Sequence, residues 1–266
     1  MKNLYNENDA KQFISKYSSI PEELALRVYT SRLIGRDSNL VLHGGGNTSV
    51  KLKMKNIFGD IQDVIFVKGS GRDLSSIEPE GFTGLNLELI QRLRKLENMA
   101  DEEMENQLLI NKQDAKDPDP SVEALLHAFL PHKYIDHAHA DSILVLTGQS
   151  RAHDLLKDVL GPKIAVLPYV MSGFPLAKDV AELYEANPDV EAVIIMNHGI
   201  FTFGENAKTS YELMIDYVHK AESYIRSKMP PEISSKEPSN SGAAVEKINI
   251  DASKITQIIR GVCACR

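Results

Sequence analysis

DPSVEALLHAFLPHKYIDHAHADSILVLT, residues Asp119–Thr147, joins two elements of different type. Its first half has the marks of a short helix. Asp119 stands as an N-cap with Pro120 at the first helical position, where a missing N–H costs nothing. Val122, Leu125, Leu126, Phe129 and Leu130 recur at helical spacing and form the expected buried face. Pro131 ends the helix. The second half, Tyr134–Thr147, reads as a strand that begins polar and turns apolar at Ile143–Leu146. His137 and His139 lie two apart on it. Side chains two apart on a strand share a face, so both imidazoles point one way and Ala138 the other. Two rings on one face can converge on one ion. Glu123 falls in the first helical turn, where the helix dipole favours a carboxylate.

A metal site needs a third ligand, and the best one lies far downstream in M-N-H-G at 196–199. Glu191–Met196 is an apolar strand, N-H-G turns the chain, and Ile200–Phe203 is the returning strand. His137, His139 and His198 then supply three neutral imidazoles and leave one position open. That is the pattern of a catalytic zinc site, whereas structural sites are closed by four ligands, often cysteines. The competing reading is three unrelated surface or core histidines. H-x-H on a strand, with a third histidine at a turn beside Gly199, is more specific than any lone histidine. His127 lies four residues after Glu123 on the same helix face and can bond that carboxylate, although packing is its simpler role. His43, His132, His153 and His219 have no partner pattern.

Around this centre the chain alternates element types. Asn8–Tyr17 and Glu22–Ile34 read as surface helices, the second opened by Pro21. Asn39–Met54 reads as strand, glycine loop, strand, and Ile61–Lys68 as a strand closed by G-S-G at 69–71. Leu85–Leu96 reads as a helix, and Asn98–Asp119 as an exposed acidic excursion. Ala152–Leu160 and Asp179–Ala186 are helices, with a strand at Lys163–Val170 between them. Ala207–Lys228 is a long helix. The pattern is mixed α/β, with hairpin-like strand pairs that suggest an antiparallel or mixed sheet. The proline- and serine-rich run at 229–247 is a linker composition, and 248–266 is a tail with a short helix.

Two glycine loops follow strands, G-G-G-N-T-S at 44–49 and G-S-G at 69–71. Such loops can turn backbone amides inward around a phosphate, or simply make tight turns. Neither is a Walker or dinucleotide fingerprint. H-G-G-G at 43–46 resembles an esterase oxyanion loop, but no G-x-S-x-G nucleophile elbow exists, which removes the hydrolase reading. Lys68, beside the second loop, is placed to touch an anionic ligand or to end a strand in solvent. Of 266 residues, 42% are hydrophobic and 25% charged, enough for a sizeable core. A net charge of −7 argues against a nucleic-acid partner. No apolar run approaches the ~20 residues of a membrane span, and the N-terminus lacks a signal-peptide core. The two cysteines, Cys263 and Cys265, allow no disulfide framework, so a reducing cytoplasm is the expected location.

Taken together, G-N-T-S at 46–49, G-S-G at 69–71, S-V-E at 121–123, H-A-H at 137–139 and N-H-G at 197–199 resemble the motifs of the class II aldolase/adducin family, in order, across roughly residues 20–228. Residues Pro120–Asp141 most resemble the aldolase half of bifunctional rhamnulose-phosphate aldolase/short-chain dehydrogenase proteins. No counterpart of the dehydrogenase half is present, so a free-standing aldolase domain or a fragment is expected. The resemblance implies a mostly antiparallel sheet flanked by helices, and a domain over 1–228. It implies Zn2+ on His137, His139 and His198, and Glu123 as the catalytic carboxylate, its pKa raised toward neutrality. Phosphate contacts are implied for Gly46, Asn47, Ser70, Gly71 and Ser121, with Lys68 a further candidate. The implied activity is reversible cleavage of a ketose 1-phosphate, of rhamnulose or fuculose type, to dihydroxyacetone phosphate and lactaldehyde, in a homotetramer. A pentulose-phosphate 4-epimerase, a related dehydratase or decarboxylase, and a non-catalytic adducin-like interaction domain stay open. Epimerases resemble S-S-D where this chain has Glu123, and adducin-like relatives lack the three histidines.

Overall fold

On the strand Tyr134–Ala138, Tyr134 and Ala138 pack into one hydrophobic core and Ile135 into a second. That alternation, set by the two-residue period of a strand, runs through the whole sheet. The computed structural model describes residues 1–229. In chain order they form α1 (Glu7–Lys16), α2 (Glu22–Gly35), β1 (Asn47–Lys55), β2 (Ile61–Lys68), β3 (Phe82–Asn86), α3 (Leu87–Arg92), α4 (Asp101–Ile110), α5 (Ala124–Phe129), β4 (Tyr134–Ala138), α6 (Asp141–Thr147), α7 (Ala152–Leu160), β5 (Ile164–Leu167), α8 (Phe174–Ala186), β6 (Ala192–Ile195), β7 (Gly199–Gly204) and α9 (Ala207–Lys228).

The seven strands make one sheet in the order β3-β2-β1-β4-β7-β6-β5. Every pairing is antiparallel except β5 with β6. The sheet is therefore mixed and mostly antiparallel, with helices on both faces, as the sequence predicts. Val50, Leu52, Ala192, Ile194 and Ile200 face α1, α2, α6, α7 and α9. Ile65, Val67, Val193, Ile195, Phe201 and Phe203 face α3, α4, α5 and α8. Burying each of these valine, leucine, isoleucine and phenylalanine side chains contributes about 1.5–3 kcal/mol.

The buried face of α2 carries a charge. Arg27 and Asp136 are both fully buried and paired, and Asp136 also accepts from the Ser210 hydroxyl of α9. Arg27 further donates to Thr30 Oγ1 at 2.6 Å and to the Ser49 and Ile135 carbonyls at 3.4 Å. One guanidinium thus ties α2 to the backbones of both β1 and β4. Burial pushes the Asp136 carboxyl up, and Arg27 and Ser210 pull it back down.

Several expected boundaries differ. Tyr134–Thr147 is not one strand: β4 ends at Ala138, and Asp141–Thr147 is α6. Ile143 and Leu146 are buried while Val145 is exposed, a helical pattern that so short an apolar run hides. Nor does the preceding helix start at Asp119. It starts at Ala124, with Glu123 at the N-cap position and no side-chain cap. Pro118 and Pro120 disfavour helix for Asp117 and Asp119, and the chain instead bridges Gly69 to Pro120, with the Ser70 N–H donating to the Asp119 carbonyl at 2.7 Å. Val122, expected in the core, is 55% exposed in the turn before the helix. Asn39–Gly46 is turn rather than strand. Leu85–Leu96 divides into the end of β3, α3 capped by the Asn86 side chain, and a 3-10 turn at Leu93–Lys95. The excursion Asn98–Asp119 contains α4, whose Met104 and Leu108 are buried in the second core. Helix α8 begins at Phe174, before the expected Asp179, and β5 ends at Leu167, just before Pro168. Apart from Met229, the expected linker and tail lie outside the described residues, as do Cys263 and Cys265. Among the described residues no helix is long and apolar enough to cross a membrane.

Candidate active site

Three strands bring the three histidines together. His137 is the next-to-last residue of β4 and faces the second core. There it stacks on Phe201 of the neighbouring β7, ring centroids 3.9 Å apart. His139 lies just past the end of β4 and keeps the same side. His198 sits in the tight turn between β6 and β7, after Asn197, whose φ of +56° is a left-handed conformation that asparagine tolerates. His137 Nε2 and His139 Nε2 are 3.0 Å apart. Ligand nitrogens of all three residues lie within 4.8 Å of one another, close enough for one ion.

Two glycines make room for this cluster. A Cβ on Gly199 would stand 2.4 Å from the Ala138 carbonyl oxygen and 3.0 Å from His137 Cε1. Gly46, at φ +63°, would place a Cβ 2.7 Å from the His137 carbonyl oxygen. His137 Nδ1 lies 3.1 Å from the Ile200 carbonyl, which can only accept, so Nδ1 carries the hydrogen. Nε2 is then the free lone pair, the tautomer a metal ligand requires. Burial pushes the His137 imidazole down to about 3 and lowers that of His139, so both are neutral at ordinary pH. The donor set therefore fits a divalent ion that prefers imidazole nitrogen, such as Zn2+.

Glu123 reaches the cluster from the start of α5. Its Oε2 lies 3.4 Å from His137 Nε2, and its Oε1 lies 3.2 Å from His198 Nε2. The Asn47 side-chain amide donates to Oε2 at 2.6 Å, and the Ser172 hydroxyl donates to Oε1 at 3.1 Å. Burial pushes this carboxyl up, but His137, His198 and Asn47 outweigh it and hold the group below the usual carboxylate range. The raised pKa expected from the sequence is thus reversed, because every neighbour within reach favours the anion. Glu123 is therefore an anion.

The remaining candidates line the same cavity, of about 220 Å3. Gly46, Asn47, Lys68, Ser70, Gly71, Ser121, Glu123, His139 and His198 all reach it, as does Ser172. His137 is fully buried and meets the lining through His139 and Glu123. Several amides of these segments are taken up within the backbone rather than turned inward. The Gly45, Gly69, Ser70 and Ser121 N–H groups already donate to backbone carbonyls. An anion there would meet the Ser70 and Ser121 hydroxyls and the Lys68 ammonium. Lys68 donates to the Gly44 carbonyl at 2.9 Å, which crosslinks the two glycine loops, and burial lowers its pKa. His127 bonds Ser49 and Asn47 rather than Glu123. Ser49, Ser172 and this use of His127 escaped the sequence reading. Ser49 was within reach of it, since Asn47 and Ser49 are polar residues two apart on a strand that must face inward.

The family described as Class II Aldolase and Adducin N-terminal domain matches residues 25–225. The chain is 40% identical over 212 residues to "Uncharacterized oxidoreductase YuxG" of Bacillus subtilis (strain 168), a match covering 80% of this chain and 31% of that one. It therefore spans less than a third of that relative's length. It is 27% identical over 193 residues to 5-deoxy-D-ribulose 1-phosphate aldolase of Bacillus thuringiensis serovar kurstaki, covering 72% and 79% of the two chains. The solved N-terminal class II aldolase domain of a conserved protein from Thermoplasma acidophilum matches with TM-score 0.76 and 38% identity, covering 85% of this chain and 99% of that one. L-fuculose-1-phosphate aldolase from Thermus thermophilus shares the fold, with TM-score 0.50 and 18% identity over 76% and 95% of the chains.

Proposed function

The chain belongs to the class II aldolase and adducin family, and from that premise we propose that it is a zinc-dependent aldehyde-lyase. Its reaction is the reversible cleavage of a ketose 1-phosphate, of rhamnulose or fuculose type, to dihydroxyacetone phosphate and lactaldehyde. The observation that carries this reading is the meeting of three imidazoles and one anionic carboxylate at a single small cavity between two glycine loops. The 1-phosphate aldolase among its relatives supports the substrate class.

His137, His139 and His198 would hold the ion. When bound, it supplies a Lewis acid for the negative charge that develops as the carbon–carbon bond breaks. The protein's own groups do the rest. Ser70, Ser121 and Lys68, with the loop at Gly46, Asn47 and Gly71, hold the phosphate, which fixes the reacting carbons against the histidine cluster. In the condensation direction, Glu123 takes a proton from the hydroxymethyl carbon of dihydroxyacetone phosphate. The electron pair left there forms the bond to the aldehyde carbon, the aldehyde oxygen takes a proton from solvent, and Glu123 releases its own to solvent. Cleavage runs the same sequence backward, with Glu123 returning the proton. Residues 1–228 form the catalytic domain of a cytoplasmic homotetramer in this reading, followed by a linker and tail.

Metal analysis of the purified protein, followed by an assay with dihydroxyacetone phosphate and L-lactaldehyde, tests it. His139→Ala should lose bound zinc and activity together. Glu123→Gln should keep the metal and lose exchange of the dihydroxyacetone phosphate proton with solvent deuterium. A zinc-loaded wild-type protein that makes no carbon–carbon bond rejects the proposal.

A further inference from the structure

Behind Glu123 runs a row of buried polar groups that the chemistry above leaves unused. Ser49 of β1 and His127 of α5 are both fully buried. Ser49 Oγ lies 2.7 Å from His127 Nδ1, and His127 Nε2 lies 2.5 Å from Asn47 Oδ1. Asn47 Nδ2 reaches Glu123 Oε2 at 2.6 Å and Ser121 Oγ at 3.2 Å.

Only one arrangement of hydrogens satisfies the row. A carboxylate accepts and cannot donate, so Asn47 must turn its NH2 to Glu123 and its carbonyl to His127. That carbonyl can only accept, so His127 Nε2 must carry the hydrogen. Burial keeps the imidazole neutral, which leaves Nδ1 bare, and the Ser49 hydroxyl donates to it. Each link fixes the orientation of the next and ends at the carboxylate. A leucine would fill the same volume without any of this, and an apolar neighbour would leave the Asn47 carbonyl buried and unpaired.

We propose that His127 is a positioning residue for proton transfer: as the Nε2–H tautomer fixed by the Asn47 carbonyl, with Ser49 holding its Nδ1, it locks the Asn47 amide so that its NH2 holds Glu123 aimed at the substrate carbon. The inference rests on the aldolase reading for its effect on rate and on geometry alone for its tautomer. The two can therefore fail separately.

Long-range proton–nitrogen spectra of the metal-free protein should show His127 as the Nε2–H tautomer, and Ser49→Ala, which leaves the Asn47 carbonyl in place, should keep it. In the zinc-loaded protein, His127→Leu should slow exchange of the dihydroxyacetone phosphate proton by about 10–100-fold, the usual effect of losing a partner behind a ligand or base. Zinc content should be unchanged and KM should move by less than about threefold, since substrate contacts remain. His127→Gln, whose amide can again donate to Asn47 and accept from Ser49, should recover most of the lost rate. A Nδ1–H tautomer, an exchange rate in His127→Leu equal to wild type, or a His127→Gln no faster than His127→Leu overturns the proposal. If His127→Leu does not fold, His127→Met takes its place, and an exchange rate equal to wild type in that variant overturns the proposal. Absence of exchange in the zinc-loaded wild type instead overturns the aldolase reading, and the tautomer still decides the row.

Discussion

Removing the carboxylate of Asp136 should cost this fold more than removing its partner Arg27. Both groups are fully buried. Asp136→Asn leaves a guanidinium that cannot shed its proton, facing no anion. Breaking a buried pair this way costs about 3–5 kcal/mol. For a chain of this size, a loss of about 1 kcal/mol lowers the melting temperature by about 2–4 °C. The expected drop is therefore about 6–20 °C.

Arg27→Met leaves the opposite residue, and a carboxyl can neutralise itself. Burial already raises Asp136 above its unfolded pKa, and Arg27 is the main influence opposing that rise. Without Arg27 the folded pKa climbs further. A carboxyl with a raised folded pKa favours the fold fully below its unfolded pKa, and that contribution is lost as pH rises through the folded pKa. The deficit of Arg27→Met against wild type should thus be small near pH 5 and grow toward pH 8. Asp136→Asn has nothing to titrate at this position, so this site adds no pH dependence to that variant's own stability. The double variant Arg27→Met/Asp136→Leu removes both charges and should recover more than half of the Asp136→Asn loss. Thermal unfolding followed by circular dichroism at the two pH values reads all three. A loss below about 1 kcal/mol for Asp136→Asn, or a pH-independent deficit for Arg27→Met, would refute the reasoning.

Two further outcomes concern the cavity. Gly199→Ala should weaken zinc binding by about 10-fold or more and destabilise by about 1–3 kcal/mol, because its Cβ would press on the Ala138 carbonyl and the His137 ring; titration with a zinc indicator and thermal melts measure the two effects. Lys68→Met should raise KM for the phosphorylated substrate by about 10-fold, with kcat within about threefold, since it removes a contact made equally in ground and transition states; steady-state kinetics separates the two constants.

The histidine cluster was legible because it depends on short-range rules. His137 and His139 share a face by strand period, and Gly199 beside His198 marks a tight turn. The sheet class followed from strand pairs joined by short turns. Elements whose identity is decided by distant partners were not legible. Ser142–Thr147 has the composition of a strand, but the Asp141 N–H just before it donates to the distant Asn39 carbonyl, and the segment coils onto the first core. Val122 fits a helical stripe but lies in a turn that two prolines impose. Nothing local marks Ser172, which meets Glu123 from 49 residues away. Nor does any local pattern reverse the pKa of Glu123; that takes three neighbours from three other segments.

The same alternation that defeats a local reading also separates stability from chemistry. On β4, Asp136 faces α2 and His137, the adjacent residue, faces the cavity. On β1, Thr48 faces α2, where its hydroxyl lies 2.8 Å from that of Ser31, while Asn47 and Ser49 face α5. The Arg27 guanidinium spans the carbonyls of Ser49 and Ile135, so one buried cation clamps from behind the two strands whose front faces carry Asn47, Ser49 and His137. Across that pair Asn47 stands opposite His137 in register. A slip of one residue would turn the imidazole toward α2 and bury the carboxylate of Asp136 against α5 without its arginine. The ion pair and the histidine site therefore specify the same register from opposite sides of the sheet, and no shifted pairing satisfies either one.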